Sequence, residues 1–120
     1  MTLGEEMGEA YRASGTDAAL AHYEELRKNY YGKGIFNFET ESALNDFGYE
    51  VLGKEDAKGA IRVFELNTEK FPESGNVWDS LAEAYMKSGN NKLAEKYYKK
   101  SLDHDPKNQN ALDMLEKLKK

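Results

Sequence analysis

Cysteine is absent from the 120 residues, which removes disulfides, thiolate metal sites and cysteine nucleophiles from consideration. Proline occurs only twice, at Pro72 and Pro106, so long stretches are free to run as helix. No apolar run approaches the roughly 20 residues that cross a bilayer, and the opening MTLGEEMGEA lacks a basic region followed by an apolar one. The expectation is a soluble chain with no membrane contact and no export signal of its own. It would be cytoplasmic by default, or periplasmic if cut from a larger exported protein.

An excess of basic charge is also missing. Residues 1 to 60 carry 12 acidic and 6 basic side chains, residues 61 to 120 carry 10 and 11, and the net charge is -5. That balance gives no footprint for nucleic acid. Lys92, Lys96, Lys99 and Lys100 share one helical face, which reads first as solvated surface rather than as a binding patch. Catalytic inventory is equally thin. His22 and His104 stand apart with no patterned nucleophile beside them, and Asp103, His104 and Asp105 are consecutive, so they cannot converge on one ion without further ligands. Acidic pairs such as Glu5-Glu6 and Glu24-Glu25 point to different sides of a helix, and no phosphate-binding glycine loop occurs. The expectation is no enzyme, no metal and no cofactor.

What is present is a repetition. Between Glu41 and Asn108 the chain repeats itself at a spacing of 34 residues without a gap. Leu44 falls on Trp78, Phe47 on Leu81, Gly48 on Ala82, Val51 on Tyr85, Ala60 on Ala94, Phe64 on Tyr98 and Pro72 on Pro106. Such a period marks stacked helical hairpins.

The expected organisation is one domain, residues 1–120. Residues 1–30 form a degenerate hairpin, with Leu3, Met7, Gly8 and Tyr11 on one stripe, a stop at Ser14-Gly15, and a second helix capped by Asp17 and packed through Ala19, Leu20, Tyr23 and Leu26. Residues 31–40 are an aromatic connector broken by two glycines. Its Tyr31, Ile35, Phe36 and Phe38 are expected to fold back on the array, with a partner-binding loop as the other reading. Residues 41–74 form a repeat entered at Thr40, burying Leu44, Phe47, Gly48 and Val51, then Ala60, Ile61, Phe64 and Leu66. Gly59 has no evident reason from sequence. Residues 75–108 form a second repeat capped by Ser74, with Trp78, Leu81, Ala82, Tyr85, Leu93, Ala94, Tyr97 or Tyr98, and Leu102 inside. Residues 109–120 make a capping helix with Ala111, Leu112, Leu115 and Leu118 on its apolar side.

The order of types resembles the tetratricopeptide repeat family: a large apolar residue, Leu-Gly or Leu-Ala, an aromatic, a loop glycine, an alanine, an aromatic and a closing proline. Residues 75 to 108 carry Trp78, Leu81, Ala82, Tyr85, Gly89, Ala94, Tyr98 and Pro106, departing only at Ser101, where alanine is usual. Residues 41 to 74 place Glu55 where the loop glycine belongs and Gly53 two residues earlier, so a shifted turn is expected. The resemblance implies an all-α, right-handed α-solenoid of antiparallel helical hairpins, about three hairpins plus a C-terminal capping helix, about seven helices. More weakly, the Phe-Asn-Phe connector and the Asn-x-x-Gly-Tyr helix resemble the tetratricopeptide tails of bacterial serine β-lactamase-like hydrolases.

The family resemblance also implies a concave groove, lined by the first helix of each hairpin, that binds a protein or peptide segment. The face opposite the packed stripe supplies Glu5, Glu9 and Arg12, then Asn45, Tyr49 and Leu52, then Asp79, Glu83 and Met86. Family members that clamp a carboxylate terminus place lysine, arginine and asparagine there. The corresponding places here are Glu5, Glu9, Asn45, Tyr49, Ser80 and Asn110, and the two acids among them would repel a carboxylate, so the groove suits a basic segment with an aromatic or aliphatic anchor,. The other readings are a solvated helix face, or a spacer that dimerises through Ile35, Phe36 and Phe38.

Overall fold

The computed structural model describes residues 2–120, in which seven helices follow one another: α1 Leu3–Ser14, α2 Thr16–Tyr30, α3 Ser42–Gly53, α4 Ala57–Lys70, α5 Gly75–Lys87, α6 Asn91–His104 and α7 Gln109–Leu118. Among the described residues there is no strand, and no helix is long and apolar enough to cross a membrane. Consecutive helices pair as antiparallel hairpins; α4 packs on α5, α6 packs on α7, and α1, α3 and α5 touch in sequence while α2 touches α4. The product is an all-α helical-repeat solenoid, an elongated body of 45 × 27 × 17 Å. Each hairpin leaves an apolar face that only its neighbour covers.

Helix ends follow local chemistry. Thr2 and Glu5 close a reciprocal capping box at α1, each side chain accepting from the other's backbone N–H at 3.1 Å,. The side chains of Asp56, Asn90 and Asn108 accept from Gly59 N, Leu93 N and Ala111 N and start α4, α6 and α7,. Three expected caps are corrected. Asp17 lies inside α2, with Gly15 at the cap position; its carboxylate instead meets the Arg62 Nε of α4 at 2.8 Å. Thr40 precedes the cap of α3, which is Glu41. Ser74 holds the cap position of α5 but makes no side-chain capping bond.

The turn between α3 and α4 is not shifted. Glu55 takes φ 64, the left-handed conformation that Gly89 takes with φ 90 one period later. The bonds around the two turns match, Glu55 N to Leu52 O at 3.0 Å and Gly89 N to Met86 O at 3.0 Å. A side chain in that region costs about 1–2 kcal/mol, part of which glycine returns as lost unfolded-state restriction. Glu55→Gly is therefore expected to stabilise the protein by about 0.5–1 kcal/mol in urea unfolding; a loss of stability would mean the Glu55 side chain makes a compensating contact.

Gly59 also gains a reason. A Cβ there would lie 2.3 Å from the Asp56 carboxylate and 2.7 Å from Thr16 Oγ1. Glycine lets the cap of α4 and the start of α2 approach.

The doubled register is largely the core. Leu44, Phe47, Val51, Ala60, Phe64, Leu81, Ala82, Ala94 and Tyr98 are all buried. Several positions differ from expectation. Trp78, Tyr85, Tyr97, Ile61 and Leu66 are only half-buried, while Val63, Asn67 and Val77 lie inside. In α7 Leu112 is 42% exposed, and Met114 packs in its place. The connector divides. Phe38 is 3% exposed, edge-on to Tyr23 at 5.7 Å, and Phe36 packs on Phe38 at 6.0 Å. Ile35 remains 59% exposed and Tyr31 lies under the Arg27 guanidinium at 4.7 Å. Phe38 is thus closed off from any partner by its own core.

Candidate functional site

The odd-numbered helices lie along one side of the stack, and hydrogen bonds tie α3 to α5 and α5 to α7. Ser80 Oγ on α5 donates to Asn45 Oδ1 on α3 at 2.8 Å. The Tyr49 hydroxyl donates to Glu83 Oε1 at 3.0 Å and stands 3.2 Å from Ser80 Oγ. Farther along, the Asp79 carboxylate accepts from Asn108 Nδ2 at 2.6 Å and from Asn110 Nδ2 at 2.9 Å, linking α5 to α7. The repeat shows in these residues' positions: Tyr49 and its partner Glu83 are one period apart, and the acceptors Asn45 and Asp79 occupy equivalent places.

The nine expected groove residues are distributed unequally. Asn45, Tyr49 and Glu83 meet in the belt, and Leu52 joins Tyr49, Glu83 and Lys87 around a cleft of about 450 Å³. Glu5 and Arg12 line a second cleft of about 780 Å³ with Phe36, Ala43, Asp46, Phe47 and Glu50. Asp79 is 8% exposed and fully engaged by the two asparagines, so it stabilises the row instead of facing outward. Met86 packs on the terminal core beside Ala82 and Tyr98. Glu9 does not join either cleft; it lies with Glu6, His22 and Glu25 where α1 faces α2. There His22 Nε2 sits 2.9 Å from Glu6 Oε2.

Ser80, Lys87, Asp46, Glu50 and Asn108 were not among the nine, nor was Asn110. Ser80 and Asn110 did carry a sequence signal, since both stand at the places where family members clamp a carboxylate; here Asn110 Nδ2 donates to Asp79. Ser101, the departure from alanine, is explained as well. Its hydroxyl donates to Gly75 O at 2.7 Å and accepts from Asn108 Nδ2 at 2.9 Å.

Electrostatically the row is acidic, and burial perturbs two phenols at it, Tyr49 on α3 and Tyr98 on α6. Burial pushes the Tyr49 hydroxyl well above the usual phenol range, and the Glu83 carboxylate adds to that shift,. Tyr98, whose buried hydroxyl has no partner in the protein, is raised by burial and then by Asp79 and Glu83. Glu5 is held below the usual carboxylate range by the Thr2 backbone N–H. Neither tyrosine can serve as a base at neutral pH. Among the described residues no group of three or more histidines and carboxylates is arranged to hold a metal ion. The row offers surface recognition: fixed acceptors, carboxylates and small apolar recesses.

Comparison with known proteins agrees with this fold. Residues 75–108 match the family model described as Tetratricopeptide repeat. The chain is similar to the first TPR of Spaghetti (RPAP3) bound to HSP90 peptide SRMEEVD, with a TM-score of 0.66 at 15% identity, covering 98% of this chain and 87% of that one. It is similar also to the N-terminal domain of stress-induced protein-1 (STI-1) from C. elegans, with a TM-score of 0.65 at 14% identity, covering 98% and 92%. No curated protein matches by sequence.

Proposed function

Starting from a chain with the tetratricopeptide-repeat fold, in which residues 75–108 are a repeat of that family, we propose that it is a non-catalytic protein-interaction module. Its ligand is a partner segment lying along α1, α3 and α5, basic in character and carrying an aromatic or aliphatic anchor. The observation behind this reading is the preset belt of Asn45, Tyr49, Ser80 and Glu83, whose polar atoms are fixed before any partner arrives. Preset groups lose little freedom on binding. Tyr49 is 37% exposed and stands edge-on to Phe64 at 5.1 Å, a rigid platform of the kind that anchors interfaces.

Charge chooses the partner. One structural neighbour is described as bound to an HSP90 peptide whose sequence, SRMEEVD, ends in acids. Here Glu5, Asp46, Glu50 and Glu83 line the clefts, opposed by Arg12 and Lys87. An acidic tail is repelled, while lysine or arginine beside an apolar side chain is attracted.

The test is capture on immobilised protein, compared with Tyr49→Ala combined with Glu83→Lys. The double variant is expected to lose at least about tenfold in affinity for captured basic segments with unchanged far-ultraviolet circular dichroism. Undiminished capture would remove the belt from the binding face.

A further inference from the structure

On the side of the second repeat where α5 and α6 pack, the structure holds a surface of opposite charge. Trp78, Tyr97 and Tyr85 form a continuous stack, Trp78 to Tyr97 at 5.8 Å and Tyr97 to Tyr85 at 5.5 Å, both within 16° of parallel. The Trp78 indole is fixed by donating Nε1–H to Pro72 O at 2.8 Å. Trp78, Tyr97 and Leu93, all half-buried, line a trough of about 980 Å³ with Lys92, Lys96, Lys99 and Lys100. The Lys96 and Lys100 ammonium groups stand over the Tyr97 and Trp78 rings at 5.3 and 5.2 Å. Of the four lysines, Lys99 pairs with Glu95 at 2.9 Å. Among the described residues, no carboxylate pairs with Lys92, Lys96 or Lys100.

We infer that this trough is a second interaction surface, which takes an acidic peptide segment with an apolar side chain set on Leu93, beside the lysine-covered Trp78 ring. Lys92, Lys96 and Lys100 succeed one another every four residues, about 6 Å along the helix axis. Carboxylates at every fourth position of a helix, or every second position of an extended strand, repeat at about the same distance. Charge complementarity therefore has a register as well as a sign. A nucleic-acid strand fits less well. Base stacking needs an open aromatic face, yet Tyr97 is sandwiched between Trp78 and Tyr85, and Lys100 lies over Trp78. Glu95, paired with Lys99, and Asp103 also line the trough, so the partner's carboxylates must lie along Lys92, Lys96 and Lys100. This surface is separate from the acidic row, so a single module could join a basic segment on one side to an acidic one on the other.

Trp78 is the chain's sole tryptophan, so its emission reports directly on occupancy. The full chain is titrated with a short glutamate-rich peptide carrying one leucine, with the same peptide bearing lysine for glutamate, with a short oligothymidylate and with anionic phospholipid vesicles. Expected is a saturable change in Trp78 emission with the acidic peptide alone, weakening with salt. Lys96→Glu combined with Lys100→Glu, both exposed positions, should weaken it at least about tenfold, and circular dichroism checks that the variant is folded. Tyr49→Ala combined with Glu83→Lys should leave it within about twofold, which separates this surface from the acidic row. No saturable change, equal binding by the charge-reversed variant, or tighter binding of oligothymidylate or vesicles would overturn the inference. So would an emission change that follows protein concentration without peptide, since the occupant would then be a second copy.

Discussion

Phe64→Ala is expected to lower unfolding free energy by about 3–5 kcal/mol, the usual cost of removing a buried aromatic ring. Phe64 is fully buried in the larger core cluster, among Leu44, Phe47, Val51 and Leu81, and Tyr49 rests edge-on against it. The ring also fills the space that a side chain at position 48 would need, since a Cβ on Gly48 would come within 2.2 Å of it. Gly48→Ala alone should therefore cost about 1–3 kcal/mol by overpacking. In the Phe64→Ala background that cost should disappear, because the methyl group enters the cavity left by the ring. A double-mutant cycle in urea measures the coupling. Additive losses would show that Gly48 and Phe64 do not share this space.

Asp79→Ala is the second large effect, about 2–3 kcal/mol. The carboxylate is almost fully buried and accepts from Asn108 and Asn110; a hydrogen bond to a charged group contributes about 1.5–3 kcal/mol, and only part of the second is lost because Asn110 is exposed and regains water. Without it Asn110 loses its acceptor and Asn108 keeps only Ser101 Oγ, where α7 meets α5. Asn108 is also the N-cap of α7, so the helix loses both its tether and the orientation of its cap. Amide exchange should accelerate first in α7, ahead of α3 and α4, as local opening of the terminal element. Uniform acceleration along the chain would instead place Asp79 in the global core.

How far the sequence revealed the site can be judged residue by residue. Asn45, Tyr49, Leu52 and Glu83 were legible, because helical periodicity sets the face opposite the packed stripe, and these four share it. Glu9 shares the same angular position yet lies toward α2. Periodicity gives a direction from the helix axis; it does not say which neighbour stands there. Asp79 fails for a related reason. In the register it corresponds to Asn45, but α7 follows α5 in the row and covers it, supplying Asn108 and Asn110, whereas Met86 is half-buried like its register mate Leu52. Position in the stack, not position in the repeat, decides exposure.

The lysine trough shows the same division. The sequence put four lysines on one face and left that face as solvated surface. Only packing stacks Trp78 on Tyr97 and Tyr97 on Tyr85, and holds the Trp78 ring half-buried beneath Lys100 instead of inside the hairpin. Glu55 was visible as an anomaly in the loop, but its φ of 64 required the backbone.

By itself the sequence determined the architecture: the 34-residue period, the small residues at Gly48, Ala60, Ala82 and Ala94, and the placement of turns between hairpins. These are local or periodic properties, fixed by helix geometry and by the volume available between two helices. The tertiary structure decided which carboxylates face outward and which are held by amides, where the connector's aromatic rings go, and how the second repeat's aromatic residues stack beneath the lysines. The first two outcomes depend on contacts between hairpins and the third on how α5 and α6 face each other within one, and the identity of a neighbour across an interface is not encoded in any single period.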